Sequence, residues 1–177
     1  MKLFGKIILV IAIIIAIPLI MAIFMKKEYA VEREITINKP QQEVFNYIKY
    51  LKNQDYYSYW VMMDPNMKKE FRGTDGRVGF VYGWDGNDEA GKGEEEITEI
   101  TEGVGINVEV RFKRPMEGIA YTPITTTAIS PVQTKVTWKM TGVNTYPCNF
   151  MNFFVDSMLG KDLEKSLGNL KRILEKS

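Results

Sequence analysis

The sequence predicts an α+β fold: an antiparallel sheet covered by one long carboxyl-terminal helix and preceded by a single transmembrane helix. Three observations predict it. Ile7 to Met25 is an uncharged apolar run of 19 residues. Between Met67 and Val143, segments that alternate apolar and polar residues are separated by glycine, proline and asparagine. Beyond them, Phe150, Phe154, Met158, Leu163, Leu167, Leu170 and Leu174 recur at mostly three- and four-residue steps, the spacing of one helix face.

The first run, as a helix, spans roughly 28 Å and matches a bilayer core of about 30 Å. A cleaved signal peptide is the competing reading. Its apolar region is usually about 7 to 15 residues long and ends at a small-residue site, whereas this run ends at Met25-Lys26-Lys27. Length and flanks favour a retained anchor, residues 1–27, followed by a domain over residues 28–177. Pro18 is compatible with a transmembrane helix. Basic residues flank the run on both sides, so the positive-inside rule is nearly balanced. The very short basic tail favours a cytoplasmic amino terminus, with the domain on the extracytoplasmic side of a single-pass membrane protein.

The whole chain carries 23 basic and 22 acidic residues. Residues 1–27 hold four of the basic ones and no acidic one, so the domain keeps 23 − 4 = 19 against 22, a net charge of −3. A mildly acidic domain lacks the basic footprint that phosphate-backbone binding requires, which argues against a nucleic-acid partner. Cys148 is the single cysteine and histidine is absent. These two facts exclude an internal disulfide, the familiar zinc sites, and Ser-His or Cys-His nucleophile pairs.

Within the domain, Val31 to Ile37 alternates as a half-buried strand. Asn38-Lys39-Pro40 then caps a helix of about three turns carrying Val44, Phe45, Ile48 and Leu51. Asp55 to Trp60 reads as a short second helix entering the turn at 62–65. Strands follow: Val78, Phe80, Tyr82 and Trp84 share one parity, as do Ile106, Val108, Val110 and Phe112, and Val136, Trp138 and Met140. Closely spaced strands of this kind imply a meandering antiparallel sheet with one apolar face, which the terminal helix covers.

The stretch YGWDGNDEAGKGEEEI at 82–97 invites two other readings. A phosphate loop requires G-x-x-x-x-G-K-[ST] leading into a helix, but the acidic residues after Gly93 lead into a strand. Asp85, Asn87, Glu89 and Glu96 fall at positions 1, 3, 5 and 12 of a calcium loop, yet Ala90 occupies the sixth position, where the turn needs glycine. The stretch is therefore read as a strand connection, with neither a metal nor a cofactor expected.

The run Val31-Glu-Arg-Glu-Ile-Thr-Ile-Asn-Lys-Pro-Gln-Gln-Glu-Val-Phe45-Asn-Tyr-Ile resembles the opening of the SRPBCC superfamily, the START-like or polyketide cyclase-like proteins. Gly83-Trp84-Asp-Gly-Asn87 with Gly91-Lys-Gly93, Thr134-Lys-Val-Thr-Trp138, and Met158 through Lys171 resemble its later segments. The resemblance spans nearly all of residues 29–177. It implies a helix-grip fold, in which a curved sheet wraps the terminal helix around an elongated apolar cavity. It also implies a ligand that is a lipid, sterol, hormone or polyketide, and in some members an enzyme. A fold of this kind predicts a pocket more securely than a reaction, and no catalytic signature is found among the matching segments.

Three functions follow as expectations. The first is a membrane-tethered binding module for a hydrophobic small molecule or lipid. Its cavity residues are expected to be Trp60, Phe80, Tyr82, Trp84, Val108, Val110, Phe112, Tyr121, Trp138, Met140, Phe154 and Met158, any of which could instead be ordinary core. The second is a cyclase or aromatase acting on a polyketide-like substrate. Without histidine its proton carriers would be carboxylates, tyrosines or lysines with shifted pKa values, and Tyr82 and Tyr121 are the ionisable residues expected near the apolar face. The third is a protein-interaction module with a packed core, using the cluster Tyr56, Tyr57, Tyr59 and Trp60.

Overall fold

In the structure, a computed structural model that describes residues 2–176, Lys2–Phe24 form helix α1. Its segment Leu3–Phe24 is long and apolar enough to cross a membrane. Three residues, Met25 to Lys27, separate it from strand β1 (Glu28–Ile37). Helix α2 (Gln41–Ile48) follows and buries Val44, Phe45 and Ile48. Leu51 lies beyond it, in a single 3-10 turn (Leu51–Asn53). The expected short second helix is two separate turns, α3 (Gln54–Tyr57) and α4 (Tyr59–Met62), divided by the extended Ser58.

Seven further strands complete an antiparallel sheet: β2 (Lys68–Arg72), β3 (Val81–Asp85), β4 (Lys92–Thr101), β5 (Gly105–Arg114), β6 (Gly118–Tyr121), β7 (Ile124–Ser130) and β8 (Gln133–Val143). Their order is β1-β8-β6-β5-β4-β3-β2, with β7 pairing both β5 and β8. The meander thus holds from β2 to β5, and the last strand then returns to pair with the first along Glu28↔Val143 to Ile37↔Thr134. Val78, expected in a strand, is exposed in the loop before β3.

Period-2 alternation sets the inner face. Ile106, Val108 and Val110 of β5 and Val136, Trp138 and Met140 of β8 are buried against α5 (Asn152–Lys176), which contributes Leu163, Leu167, Leu170 and Leu174.

One contact locks the long helix to β1. Arg33 reaches across α5 and pairs with Asp156 (Nη1 to Oδ1, 3.0 Å) and Glu164 (Nε to Oε1, 2.6 Å). Gly160 stands midway between those carboxylates on the same helix face, and a Cβ there would run into the guanidinium. A helical glycine is normally about 0.5–1 kcal/mol less favourable than alanine. At this position that gain should be offset: Gly160→Ala displaces the Arg33 guanidinium and breaks its ion pairs with two largely exposed carboxylates, so the urea midpoint is expected to stay close to that of the wild type, at unchanged slope, rather than rise.

Candidate functional site

Between the sheet, the α3–α4 turns and α5 lies a cavity of about 140 Å³. Its walls are largely apolar. Trp138 of β8 is central: its ring meets Tyr57 edge-on at 5.9 Å and Trp60 at 6.0 Å, and its indole N–H donates to Thr122 Oγ1 at 2.6 Å. Trp84 meets Phe112 edge-on at 6.1 Å and donates its indole N–H to the Ala90 carbonyl at 3.1 Å. That indole lies over Gly93, where a Cβ would approach within 2.7 Å of the ring. The glycine-rich stretch is therefore a β3–β4 hairpin whose bare backbone admits a cavity-wall tryptophan. Its carboxylates at 85 and 96 pair with Lys92 and Arg111 respectively.

Of the twelve residues expected from the sequence, Trp60, Tyr82, Trp84, Val110, Phe112, Trp138 and Met140 line the cavity. Phe80 and Val108 are buried in the core but do not line it. Tyr121, Phe154 and Met158 do not reach it, being 53%, 40% and 56% exposed. For Tyr121 the cause is strand parity. Ala120 is the inward residue, paired with Val110, while Tyr121 pairs with Glu109 and Thr141 on the outer face. For Phe154 and Met158 the cause is helical phase. The five-residue step from Met158 to Leu163 turns about 140° around the helix, so the two apolar rows occupy different faces. Leu159 is the residue of α5 that lines the cavity.

Four polar residues that line the cavity, Gln54, Ser58, Glu95 and Thr122, were not anticipated. Glu95 lies among the apolar walls and is only 8% exposed. Gln54 Nε2 donates to its Oε2 at 3.2 Å, and among the described residues no basic side chain pairs with it. Burial, reinforced by the nearby Asp75 and Asp55, pushes its carboxyl up to about 8. Desolvation penalises the charged form and no cation offsets it. Asp55 accepts a 2.6 Å hydrogen bond from the Tyr82 hydroxyl and a 2.9 Å ion pair from Lys69. Burial first, then that hydrogen bond, hold the Tyr82 phenol well above its usual range. The buried Tyr57 hydroxyl has no partner among the described residues.

The signal for Glu95 is present in the sequence. In Glu94-Glu95-Glu96-Ile97 the inward Ile97 dictates that Glu95 is also inward, while Glu94 and Glu96 face outward onto Arg111 at 3.0 and 2.8 Å.

A neutral carboxyl, a phenol tied to a carboxylate and a threonine hydroxyl therefore face an apolar space. Such a site can bury a ring or a short apolar chain and hydrogen-bond one polar group on it. Residues 29–175 match the family described as polyketide cyclase/dehydrase and lipid transport. The chain belongs to this family. Solved structures of the same fold include norcoclaurine synthase from Thalictrum flavum in complex with dopamine and hydroxybenzaldehyde. That structure is 10% identical with a TM-score of 0.66, over 89% of this chain and 92% of that one. A protein from Chromobacterium violaceum is 14% identical with a TM-score of 0.60, over 82% and 96%. Ara h 8.0201 is 11% identical with a TM-score of 0.61, over 85% and 99%. At these identities the likeness is one of fold. No curated protein matches the chain significantly.

Proposed function

We propose that the chain is a membrane-anchored binding module in which the segment of residues 1–27, which contains α1, tethers the domain of residues 28–177. The domain would take a hydrophobic small molecule, or an apolar segment of a lipid, into the cavity around Trp138. The observation that carries this reading is the apolar space of about 140 Å³ held open between Trp60, Trp84, Trp138 and Leu159. A cavity of about 150 Å³ admits a benzene-sized guest. The site at rest thus suits one ring or a short run of chain, with Glu95 as the polar contact at its wall. The family's lipid-transport description supports the same ligand class.

Native mass spectrometry of the detergent-extracted full chain should reveal a co-purifying apolar molecule. Val110→Phe fills the cavity from the β5 side. It is expected to abolish that occupancy while lowering the melting temperature little, because the added ring enters existing space. In a solid core the same overpacking would destabilise by about 1–3 kcal/mol. An empty wild-type protein that also binds none of a panel of lipids and aromatic compounds, together with a destabilised Val110→Phe, would overturn the reading.

A second reading, a cyclase-type enzyme on a polyketide-like substrate, is favoured by one feature: the buried Glu95 carboxyl holds its proton near neutral pH, as a general acid must. Turnover of a polyketone lost in Glu95→Gln with binding retained would favour this reading, and binding without turnover in the wild type would favour the first.

A further inference from the structure

The carboxyl-terminal end of α1 is fastened to the domain by three asparagines. Asn149, in the 3-10 turn Cys148–Met151 that leads into α5, donates its side-chain amide to the carbonyls of Ala22 (2.6 Å) and Met25 (3.0 Å). Asn152 donates to those of Lys26 (2.9 Å) and Lys27 (3.0 Å). The backbone N–H of Asn144 also donates to Lys27, at 2.9 Å. The last carbonyls of a helix have no partner within it. Here the domain takes up the Ala22 carbonyl, together with those of Met25, Lys26 and Lys27 just beyond the helix, and Ala22 is buried against it. The start of α5 therefore sits at the depth where α1 ends.

The segment held there is unusual for a protein surface. Tyr146 to Val155 contains no charged residue. While Asn149 and Asn152 turn toward α1, Phe153 is 66% exposed, Met151 41% and Phe154 40%. Phe154 packs edge-on against Phe153 at 5.0 Å and Phe150 at 5.7 Å. Met158 extends the exposed row one turn further. Lys26 and Lys27 flank the patch on one side, and Asp156, on the other, is engaged by Arg33.

We infer that this patch of Met151, Phe153, Phe154 and Met158 seats the domain in the bilayer, entering the boundary between headgroups and acyl chains of the leaflet that α1 leaves. The inference rests on α1 being a retained membrane anchor. A bilayer around α1 necessarily reaches the elements hydrogen-bonded to its end, so a protein partner on this face would have to displace lipid. Aromatic side chains are favoured at that depth, and paired lysines suit the headgroup region. The placement also bears on the cavity, because Leu159, next to Met158, forms part of its wall. The seated surface therefore adjoins the cavity wall, and an apolar molecule would pass from the bilayer to the site with little exposure to water.

The test uses the full chain reconstituted into phosphatidylcholine–phosphatidylglycerol vesicles. Cys148, the single cysteine, is exposed within this turn and takes an environment-sensitive nitrobenzoxadiazole label without substitution. In a Cys148→Ser background, Phe153→Cys and Met158→Cys take the same label, and Val132→Cys, in the turn at the far end of β8, is the control. Labels at 148, 153 and 158 should shift to the blue and be quenched by lipids carrying a nitroxide near the headgroup, whereas the label at 132 should remain aqueous. Phe153→Glu with Met158→Glu should slow uptake of a fluorescent fatty acid from vesicles and leave its binding in detergent unchanged. Vesicle-bound protein whose labels at 148, 153 and 158 remain aqueous would overturn the seating surface and leave the anchor standing. Labels quenched only by a second labelled copy would overturn it in favour of self-association. Protein that does not float with the vesicles would remove the anchor, and the seating surface with it.

Discussion

Glu95→Gln should make the domain more stable at pH 8 and flatten its loss of stability between pH 5 and 8. The sign follows from proton counting. An exposed glutamate in the unfolded chain gives up its proton near 4.5, whereas in the folded domain burial holds the Glu95 carboxyl up to about 8. Between those values the folded state binds the extra proton, so stability falls as pH rises. The stabilising difference is fully present below 4.5 and is lost as pH climbs through 8. At 1.36 kcal/mol per unit the limiting effect is roughly 5 kcal/mol. Glutamine keeps the shape and can still accept from Gln54 through its carbonyl, but it carries no charge to desolvate. Thermal melts of both proteins from pH 4.5 to 8.5 measure the difference. Parallel curves would show that Glu95 is not the group responsible.

The frame of the domain was legible because each of its signals is local. Alternation placed β5 and β8 with the correct faces inward, and the apolar steps from Leu163 to Leu174 placed the inner face of α5. Where the reading of the site departed from the structure, information from a neighbouring element was needed. The phase break between Met158 and Leu163 is written in the sequence, but only the packing of α5 on β1 decides which of the two rows is buried. Tyr121 lies in a strand of four residues, too short for its own alternation to fix a face, so its orientation comes from β5 and β8. Glu95 was hidden by its companions. Three successive carboxylates resemble a solvated run, although Ile97 two residues later sets their parity. Gln54 and Asp55 meet Glu95 and Tyr82 because the α3 turn brings them over β4 and β3, contacts across 41 and 27 residues that no local pattern records. The clamp of Asn149 and Asn152 on α1 spans more than 120 residues and is invisible for the same reason.

Trp138→Ala should cost about 3–5 kcal/mol, one of the largest single-residue losses in the domain. The indole is almost fully buried. Its edge contacts with Tyr57 and Trp60 contribute about 0.5–1.5 kcal/mol each beyond area burial, and its hydrogen bond to Thr122 about 1 kcal/mol. Trp138→Phe separates these parts: it keeps a ring against Tyr57 and Trp60, loses only the N–H and some surface, and should cost about half as much. The informative comparison is with added ligand. The space vacated by the indole joins the adjoining cavity of about 140 Å³, leaving room for a two-ring guest. Free indole at ten times its Kd should then restore about 1.4 kcal/mol to Trp138→Ala and raise its melting temperature, with little effect on wild type. A variant that loses less than about 2 kcal/mol and gains nothing from indole would mean that the α3–α4 turns collapse into the gap. The cavity would then be a packing defect rather than a space held open by the β8–α5 frame, and the ligand-binding reading would lose its structural basis.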